Sequence, residues 1–547
     1  SLADGSDNCP LVANVDQIDN DGDLQGDACD SDDDNDLVLD VNDMDDDNDG
    51  LIEIATLEQL NWVRNDLTGS SLHNGISANS AGCTSCNGYE LMNDLDFDSN
   101  DDGVMDGNDS YFDPDADGSN QGWLPIGSDT EPFTAIFEGN GHTINNLYIN
   151  RTTNYIGLFA SIGDTNAGLS ATLQNLTLGG DLMSVSGARH TGALSGKIDN
   201  SQVINCHSSG SVSGSSNPTG GLMGRAENNS QISTSSSSGN VFGSNGDAGG
   251  LIGFSESNVS ISDSNARGNV TTSSGYVGGL LGYGRLGINI NNSFATGNVT
   301  ATGQYSVGGL VGVVEDNASH TTVINNSYAT GNVNADASVG GLIGEVQGGG
   351  TLSNSYATGA ITATGNKVGG LVGSTGSMNI YNSYATGSVI GGNQVGGLFG
   401  ASNTAYIAAS FAQGSVEGSD AVGGLGGYVL STTVTASYAT GSLAGNDLEV
   451  GGLFGSSEKN TVHQSYWASD ATNASQLVGS DYGTTVYSSF AVLLSELQCP
   501  TTANNSDCAG STLFLNWDAI DHDNDVDTQA INPWNFNFSS ELPSLGL

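Results

Sequence analysis

Carboxylates recur near the start of the chain at a spacing that suits bound calcium. The acids align in steps of 13 residues, as Asp19, Asp32 and Asp45 do, and fall within each step at positions 1, 3, 5, 9 and 12. Ca²⁺ takes about six to eight oxygen ligands, and alternate residues of a tight loop direct theirs inward. A disordered acidic tail, the common alternative, has no reason to keep this register. The spacing predicts several Ca²⁺ ions held by Asp19, Asp21, Asp23, Asp27, Asp30, Asp32, Asp34, Asp36, Asp40, Asp43, Asp45, Asp47, Asp49 and Glu53.

A second acidic stretch, DSNDDGVMDGND, follows the pattern of a calcium loop more closely. Gly103 stands at the turn position 6 of this stretch, and the last position lacks the bidentate glutamate of such loops. Its predicted ligands are Asp98, Asn100, Asp102, Asp106 and Asp109. Two shorter stretches are open between ligand loops and polar turns: Asp113, Asp115 and Asp117, and Asp521, Asp523 and Asp525.

The charge of the chain is strongly uneven. The net charge is −52, from 61 acidic and 9 basic residues, and residues 1–130 hold 33 of the acids with Arg64 as their single base. Such a field repels nucleic acid and anionic membranes and attracts cations. No apolar run approaches the roughly 18 residues that a membrane span needs. We expect neither a nucleic-acid partner nor a membrane span.

Most of the cysteines stand in close pairs: Cys9 and Cys29, Cys83 and Cys86, and Cys499 and Cys508. Local disulfides predict an oxidising environment, and hence a secreted protein outside the cell or on a bacterial cell surface. Zinc is the alternative for Cys83 and Cys86, but no second CxxC or nearby histidine pair completes such a site.

The opening residues resemble a thrombospondin type 3 repeat, a calcium-wrapped module of extracellular proteins. The resemblance rests on DNCP, residues 7–10, and GDACD, residues 26–30, and covers about residues 7–50. Leu37 stands where that family has a turn glycine. The resemblance implies a stiff spacer that collapses around calcium and unfolds without it.

Short phrases repeat through the rest of the chain. One phrase, GGLxG in most copies, has its central leucines at Leu158, Leu194, Leu222, Leu251, Leu280, Leu310, Leu342, Leu371, Leu398, Leu425 and Leu453. A second phrase, NSYATG and its variants, has its aromatic residues at Phe294, Tyr328, Tyr356, Tyr384, Phe411, Tyr438 and Tyr466. Repeats of this regularity indicate a solenoid.

Each repeat holds three short strand-like pieces between Gly, Asn and Ser turns, without helical periodicity. We predict an all-β fold, a parallel β-helix of about eleven coils. The leucines and the aromatic residues are expected to form two columns inside it. The asparagines before the second phrase, among them Asn354 and Asn382, are expected to form an amide ladder between coils.

The repeats resemble the GLUG motif of bacterial surface proteins, including some streptococcal IgA-cleaving metallopeptidases. The resemblance covers roughly residues 133–466, and the lead-in Phe133–Ile149 looks like the first coils of right-handed β-helices in this group. It brings no catalytic residues, and the zinc signature HExxH of those peptidases is absent from the sequence. The expected division is a calcium-binding segment at 1–50, a capping and calcium-loop region at 51–132, the β-helix at 133–466, and a C-terminal cap or docking region at 467–547.

Both ends of the solenoid need cover, because open strand edges invite aggregation. ATLEQLNWVRNDL has Thr56 and Gln59 at capping-box spacing and apolar residues on one face, which predicts a short helix over the first coil. INPWNFNFSSELPSLGL, with Trp534, predicts a plug or a docking strand. Ends that fit one another would join subunits head to tail into a fibre.

The sequence favours a structural function over an enzymatic one. A β-helix lyase or hydrolase needs clustered bases or paired carboxylates. Here Arg225, Arg267, Arg285 and Lys367 are expected to lie without a shared face, and Glu315, Asp316 and Glu345 are expected to lie in turns. Two hypotheses remain: a calcium-stiffened filament or stalk, and an adhesin for glycans or another surface. An adhesin should show exposed aromatic residues away from the core, and Trp123 is the candidate.

Overall fold

The computed structural model describes residues 7–12, 14, 17–19, 22–33, 43–45, 47–74, 78–79, 83, 85–114, 118–303, 306–336, 338–445, 449–498, 513, 517, 534–535 and 542–545. Some of the predicted ligands and cysteines lie outside these residues: Asp21, Asp34, Asp36, Asp40, Asp115, Asp117, Asp521, Asp523, Asp525, Cys499 and Cys508.

Parallel sheets wrap the chain into a β-solenoid, which confirms the predicted fold class. One coil contributes, in chain order, Met223–Glu227 and Gln231–Ser233 to sheet 1, Ser236–Ser237 to sheet 2, Val241–Gly243 to sheet 3 and Ala248–Gly249 to sheet 4. The sheets hold 25, 14, 11 and 9 strands within the described residues. Each strand pairs in parallel with its counterpart in the next coil. Sheet 3 has one strand for each of the eleven coils that the repeats predict.

Sheet 1 contains two strands in most coils and runs through the whole solenoid. Its strands are Leu51–Ile54, Gly88–Leu91, Ile136–Glu138, Phe159–Ile162, Thr172–Gln174, Ser195–Asp199, Gln202–Ile204, Met223–Glu227, Gln231–Ser233, Ile252–Glu256, Ser260–Ser262, Leu281–Arg285, Asn289–Asn291, Val311–Glu315, Thr322–Asn325, Ile343–Ser353, Val372–Tyr381, Phe399–Asn403, Tyr406–Ala408, Gly426–Leu430, Thr433–Thr435, Phe454–Glu458, Thr461–His463, Val478–Tyr482 and Thr485–Tyr487.

The other sheets form the remaining walls. Sheet 2 consists of Leu95–Asp96, Thr143–Asn145, Thr177–Gly179, His207–Ser208, Ser236–Ser237, Asn265–Ala266, Phe294–Ala295, Tyr328–Ala329, Tyr356–Ala357, Tyr384–Ala385, Phe411–Ala412, Tyr438–Ala439, Tyr466–Ala468 and Phe490–Val492. Sheet 3 consists of Tyr148–Asn150, Ser184–Gly187, Ser211–Gly214, Val241–Gly243, Val270–Thr272, Val299–Ala301, Val333–Ala335, Ile361–Ala363, Val389–Ile390, Val416–Glu417 and Leu443–Ala444. Sheet 4 consists of Thr219–Gly220, Ala248–Gly249, Val277–Gly278, Val307–Gly308, Val339–Gly340, Val368–Gly369, Asn393–Gly396, Asp420–Gly423 and Val450–Gly451.

A short helix covers the first coil, as the capping signal predicts. It spans Leu57–Trp62 and continues as the 3-10 helix Val63–Asn65. The Thr56 hydroxyl accepts a hydrogen bond from the Gln59 backbone N–H at 3.1 Å, while the Gln59 side chain accepts from the Ala55 N–H at 2.9 Å. Leu60 is fully buried and belongs to the hydrophobic core that runs through the solenoid. The other helices are Asp27–Cys29, Ser469–Thr472 and Leu494–Leu497, and two hairpins pair Leu72–His73 with Ala78–Asn79 and Trp534–Asn535 with Ser544–Leu545.

The leucines of the GGLxG phrase form a column inside the solenoid. All eleven have no exposed surface. In most copies the second glycine of the phrase lies so close to the next coil that a side chain has no room, although GALSG has Ala193 at this position. A Cβ placed on Gly309 would approach the carbonyl oxygen of Gly341 to 2.0 Å and the Cβ of Ala329 to 2.9 Å. The glycines therefore set the close spacing of the coils at this corner.

The aromatic residues of the second phrase stack outside the solenoid, so their predicted place in the core is wrong. Tyr328 and Tyr356 are half-buried, whereas Ala329 and Ala357, which follow them, point inward and are buried. The rings lie face to face, 4.8 Å apart between Tyr328 and Tyr356 and nearly parallel. The interior has room only for an alanine methyl here, because the glycine corner lies against it. The aromatic rings must therefore face outward.

Polar ladders hold the turns of successive coils together. The Asn382 side-chain amide donates to Asn354 at 3.3 Å, and Asn354 in turn donates to Asn325 at 2.8 Å. A buried serine ladder runs beside it, which the sequence did not lead us to expect. Each serine N–H donates to the hydroxyl of the next coil's serine, as from Ser355 to Ser383 at 3.3 Å. These bonds satisfy polar groups that the stack removes from water.

The C-terminal segment covers the far half of the outer aromatic stack. Trp534 lies 5.8 Å from Tyr438 and 4.9 Å from Trp517, measured between ring centroids. The Tyr438 hydroxyl donates to the Pro543 carbonyl at 2.7 Å, and the Tyr466 hydroxyl donates to the Leu513 carbonyl at 2.6 Å. In the described residues this segment is thus a side cover on sheet 2. Burial raises the pKa of Tyr438, so its hydroxyl stays protonated as a donor.

We expect Trp534→Ala to release this cover while the coils stay stacked. Truncating a buried tryptophan costs about 3–5 kcal/mol, and Trp534 packs against both Tyr438 and Trp517. Limited proteolysis should cut the C-terminal segment much faster in the variant, and circular dichroism of the sheets should hardly change. The control is Tyr482→Ala, since Tyr482 is 68% exposed. Equal protection of the segment in both variants would contradict this role of Trp534.

Candidate functional site

The acidic segment at the start of the chain is closed by a disulfide between Cys9 and Cys29. Cys83 and Cys86 form a second disulfide, which leaves no thiolates for zinc at that pair. Cys206 is a free thiol, fully buried in the solenoid, and this burial raises its pKa to about 12. The thiol is therefore protonated and inert, and we assign it no function.

Backbone hydrogen bonds hold the carboxylates at both ends of the loop from Asp98 to Asp109. Asp98 accepts hydrogen bonds from the backbone N–H groups of Asp102 and Gly103, at 3.3 and 3.0 Å. Asp109 closes the loop by accepting from Ser99 and Asp106, both at 2.9 Å. Both side chains are buried. The donor set, with Asn100, Asp102 and Asp106, consists of oxygen atoms, which Ca²⁺ prefers.

A second group of carboxylates lies where the acidic segment meets the first coils. Oxygen atoms of Asp45, Asp47 and Asp49 lie within 4.8 Å of one another, and so do those of Asp47, Glu53 and Glu90. Burial, together with the charges of Asp49 and Asp47, raises the pKa of Asp45. The Gly50 N–H donates to Asp45 at 3.1 Å, the position 6 to position 1 contact of a calcium loop. A cation would relieve the repulsion among these groups.

Glu90 is the member of this group that sequence reasoning missed. It stands opposite Glu53 in the parallel pairing of Leu51–Ile54 with Gly88–Leu91. Its other neighbour in sheet 1 is Glu138, which accepts from the Asn140 N–H at 2.7 Å. The signal was present in the similarity of LIEI to GYEL, but only the strand register brings their glutamates together. Asp19, Asp23, Asp27, Asp30, Asp32, Asp43 and Asp113 are the other predicted ligands that are described, and they belong to neither group.

Charged residues line up on the outer face of sheet 1, contrary to the scattered arrangement expected from the sequence. Arg225 contacts Glu227 at 2.6 Å and Glu256 at 3.0 Å, and Arg285 contacts Glu256 at 3.4 Å. Lys197 joins the row through Glu227 at 3.6 Å. The coil repeat sets these side chains in register, because equivalent strand positions lie directly above one another.

Two acidic residues expected in turns also belong to the strands of this face. Glu315 ends the strand Val311–Glu315, where it accepts a hydrogen bond from the Tyr283 hydroxyl. Glu345 lies in Ile343–Ser353. Asp316 does lie outside the strands, and it accepts from the Gly287 N–H at 2.8 Å.

Half-buried aromatic residues accompany the charged row. Tyr283 makes edge-to-face contacts with Phe254 at 5.2 Å and with Tyr276 at 5.0 Å, and Arg225 lies 4.9 Å above the Phe254 ring. Trp123, the sequence candidate for an exposed aromatic residue, is instead fully buried, and its indole N–H donates to the Leu158 carbonyl. The half-buried rings of Phe254, Tyr276 and Tyr283, rather than Trp123, therefore reach the surface beside the charged row.

The comparisons with known proteins concern the repeats. The family model described as the GLUG motif matches residues 303–334 and 335–362. The chain carries GLUG motifs. Each match corresponds to one coil of the solenoid and contains one strand of sheet 4, Val307–Gly308 or Val339–Gly340, so the GLUG motif is here the unit that stacks.

Two relatives match short parts of the chain. A protein of Evansella cellulosilytica, provisionally named a Gly-rich membrane protein, is 41% identical over 100 residues, which are 17% of this chain and 10% of that protein. The halomucin of Haloquadratum walsbyi is 36% identical over 115 residues, which are 20% of this chain and 1% of halomucin. The chain therefore spans a tenth or less of the length of these relatives.

One solved structure is similar in outline. It is provisionally titled an immunoglobulin A1 protease, from Bacteroides ovatus, and is 18% identical, covering 57% of this chain and 77% of that one. The TM-score of 0.33 is too low to support any argument about activity. In the part of the chain that the structure describes, no helix has the length and apolar character of a membrane span.

Proposed function

We propose that the GLUG solenoid is a structural protein of the bacterial cell surface, secreted, stiffened by calcium and joined head to tail with further copies into a filament or stalk. The names of the relatives support a surface location, since one is called a membrane protein and the other a halomucin. The paired charges on sheet 1 support a non-enzymatic function, because groups that neutralise one another are poorly placed to transfer protons.

The open end of the last coil is the observation on which the proposal mainly rests. Val478–Tyr482, Thr485–Tyr487 and Phe490–Val492 each pair on one side only among the described residues. Their edges leave backbone groups available for another strand. Large apolar side chains are also exposed there: Tyr482, Val486, Tyr487, Phe490 and Leu493. A second copy that stacked on this edge would continue the sheets and bury these side chains.

Electron microscopy and light scattering of the purified chain test this function. We expect fibres or short head-to-tail oligomers in millimolar calcium, and single rods after chelation with EDTA. The reason is that the acidic start of one copy, which calcium holds in shape in this proposal, would contact the end of the next copy. Val486→Asp should block assembly in calcium, since the added charge would lie at the edge. Single rods at every calcium concentration would refute head-to-tail assembly.

An adhesin is the second candidate, and the aromatic group of Phe254, Tyr276 and Tyr283 favours it. These rings are accessible on an outer face, as adhesion to glycans requires, and charged groups suited to sugar hydroxyls flank them. A glycan array probed with the calcium-loaded chain tests this function. Binding by single rods would favour adhesion, and an empty array would refute it.

A further inference from the structure

A groove on the outer face of sheet 1 lies farther along the axis than the charged row. Its volume is about 340 Å³, within the range of small-ligand sites. The groove arises from the residues at one strand position in four successive coils, Glu345, Ser374, Ala401 and Tyr428, which stand in register. The two middle side chains are small and the two outer ones are large. The result is a depression on the order of 14 Å long at a coil spacing of about 4.8 Å.

Polar side chains from the turns form the rims of this groove. Lys367 and Gln394 stand at equivalent positions on neighbouring coils, each one residue before a valine of sheet 4, and line one side. Asn403 lines the other side, at the end of Phe399–Asn403. Lys367 and Gln394 have φ angles of 62° and 56°, in the left-handed region that such residues seldom adopt.

The polar groups of the rim are available for a ligand. Among the described residues, the Lys367 ammonium, the Gln394 and Asn403 amides and the Tyr428 hydroxyl have no hydrogen-bond or ion-pair partner. This differs from the charged row, whose members pair with one another. Glu345 is held in place by hydrogen bonds from the Ser306 hydroxyl at 2.6 Å and the Gln347 amide at 3.3 Å.

We propose that this groove binds a neutral oligosaccharide. Sugar hydroxyls both donate and accept, so they can pair with the donors on the rim and with the carboxylate of Glu345. The Tyr428 ring offers an apolar surface for the C–H face of a sugar. The groove has one carboxylate and one ammonium group, and the net charge of −52 repels polyanions, which favours a neutral over an acidic glycan. The inference rests on the adhesion function and leaves the structural function untouched.

Calorimetric titration of the calcium-loaded chain tests the proposal. The probes are a neutral hexose oligomer, an N-acetylhexosamine oligomer and a uronic acid oligomer. We expect one of the neutral oligomers to bind, with little dependence on salt, and the uronic acid oligomer to bind more weakly or not at all. Tyr428→Ala should weaken binding about tenfold, since it removes the stacking surface. Lys367→Asn, which tolerates the same backbone conformation, should weaken it as well.

Phe242→Ala is the matched control, because it removes an exposed aromatic ring on sheet 3, outside the groove, and should leave the affinity unchanged. Circular dichroism confirms that each variant is folded. Suppose that the chain binds glycans and both groove variants bind as the natural protein does. The binding site then lies outside the groove, while the adhesion function is still supported. If no oligomer binds and the glycan array is empty, the groove proposal and the adhesion function are both refuted. Preferential, salt-sensitive binding of the uronic acid oligomer would overturn the choice of a neutral ligand.

Discussion

Gly309→Ala should split the solenoid between two coils. The new Cβ would lie 2.0 Å from the carbonyl oxygen of Gly341, and this neighbour is backbone that cannot move without separating the coils. Overpacking costs about 1–3 kcal/mol where side chains can adjust, and we expect a larger loss here. Each coil contacts only its neighbours, so one poor interface divides the stack. Hydrogen exchange should become faster on both sides of the substitution, and the midpoint of thermal unfolding should fall.

Gly349→Ala is the matched control for this prediction. Gly349 lies in the following coil, and a Cβ added there meets nothing within 4 Å. Its φ angle lies outside the left-handed region, so alanine causes no backbone strain. We expect this variant to unfold as the natural protein does. If both variants unfold at the same temperature, the glycine corner does not set the coil spacing.

Removing calcium should unfold the start of the chain and leave most coils stacked. Binding at about a hundred times the dissociation constant stabilises a folded site by about 2.7 kcal/mol, and several predicted sites add to this. Asp98→Asn should reproduce the loss locally, because Asp98 lies at position 1 of its loop and anchors two backbone N–H groups. Hydrogen exchange over residues 98–123 should rise in the variant even with calcium present, and native mass spectrometry should count fewer ions.

Asp164→Asn is the control for the calcium experiment. Asp164 also accepts hydrogen bonds from backbone N–H groups in a turn, from Asn166 at 2.9 Å and from Ala167 at 3.3 Å, but it is far from any calcium pattern. We expect it to bind the full number of ions. If hydrogen exchange over residues 98–123 is equally fast with calcium and with EDTA, the loop folds without metal.

The stacking of identical phrases could be predicted from the sequence, but the direction of each apolar residue could not. The leucine column lies inside, and in most copies the apolar residue after the leucine, such as Ile252, is buried as well. The phrase SYA offers two neighbours that can both be buried, and a strand places them on opposite faces. The buried member is the alanine, because its methyl group lies against the glycine corner, where a Cβ placed on Gly309 would be only 2.9 Å from the Cβ of Ala329. That distance belongs to the assembled coil and to neither phrase alone.

For the candidate sites, too, the sequence determined some features and the tertiary structure decided others. The sequence determined the repeat, the coil, the capping helix and which residues are spaced as calcium ligands, because these depend on neighbours along the chain. Only the tertiary structure decided that Glu90 joins Asp47 and Glu53, that Arg225 and Arg285 share a face, and that a groove lies below Tyr428. Those contacts join residues about one coil or more apart. They depend on the length of each turn, which sets the register between coils and leaves no local pattern in the sequence.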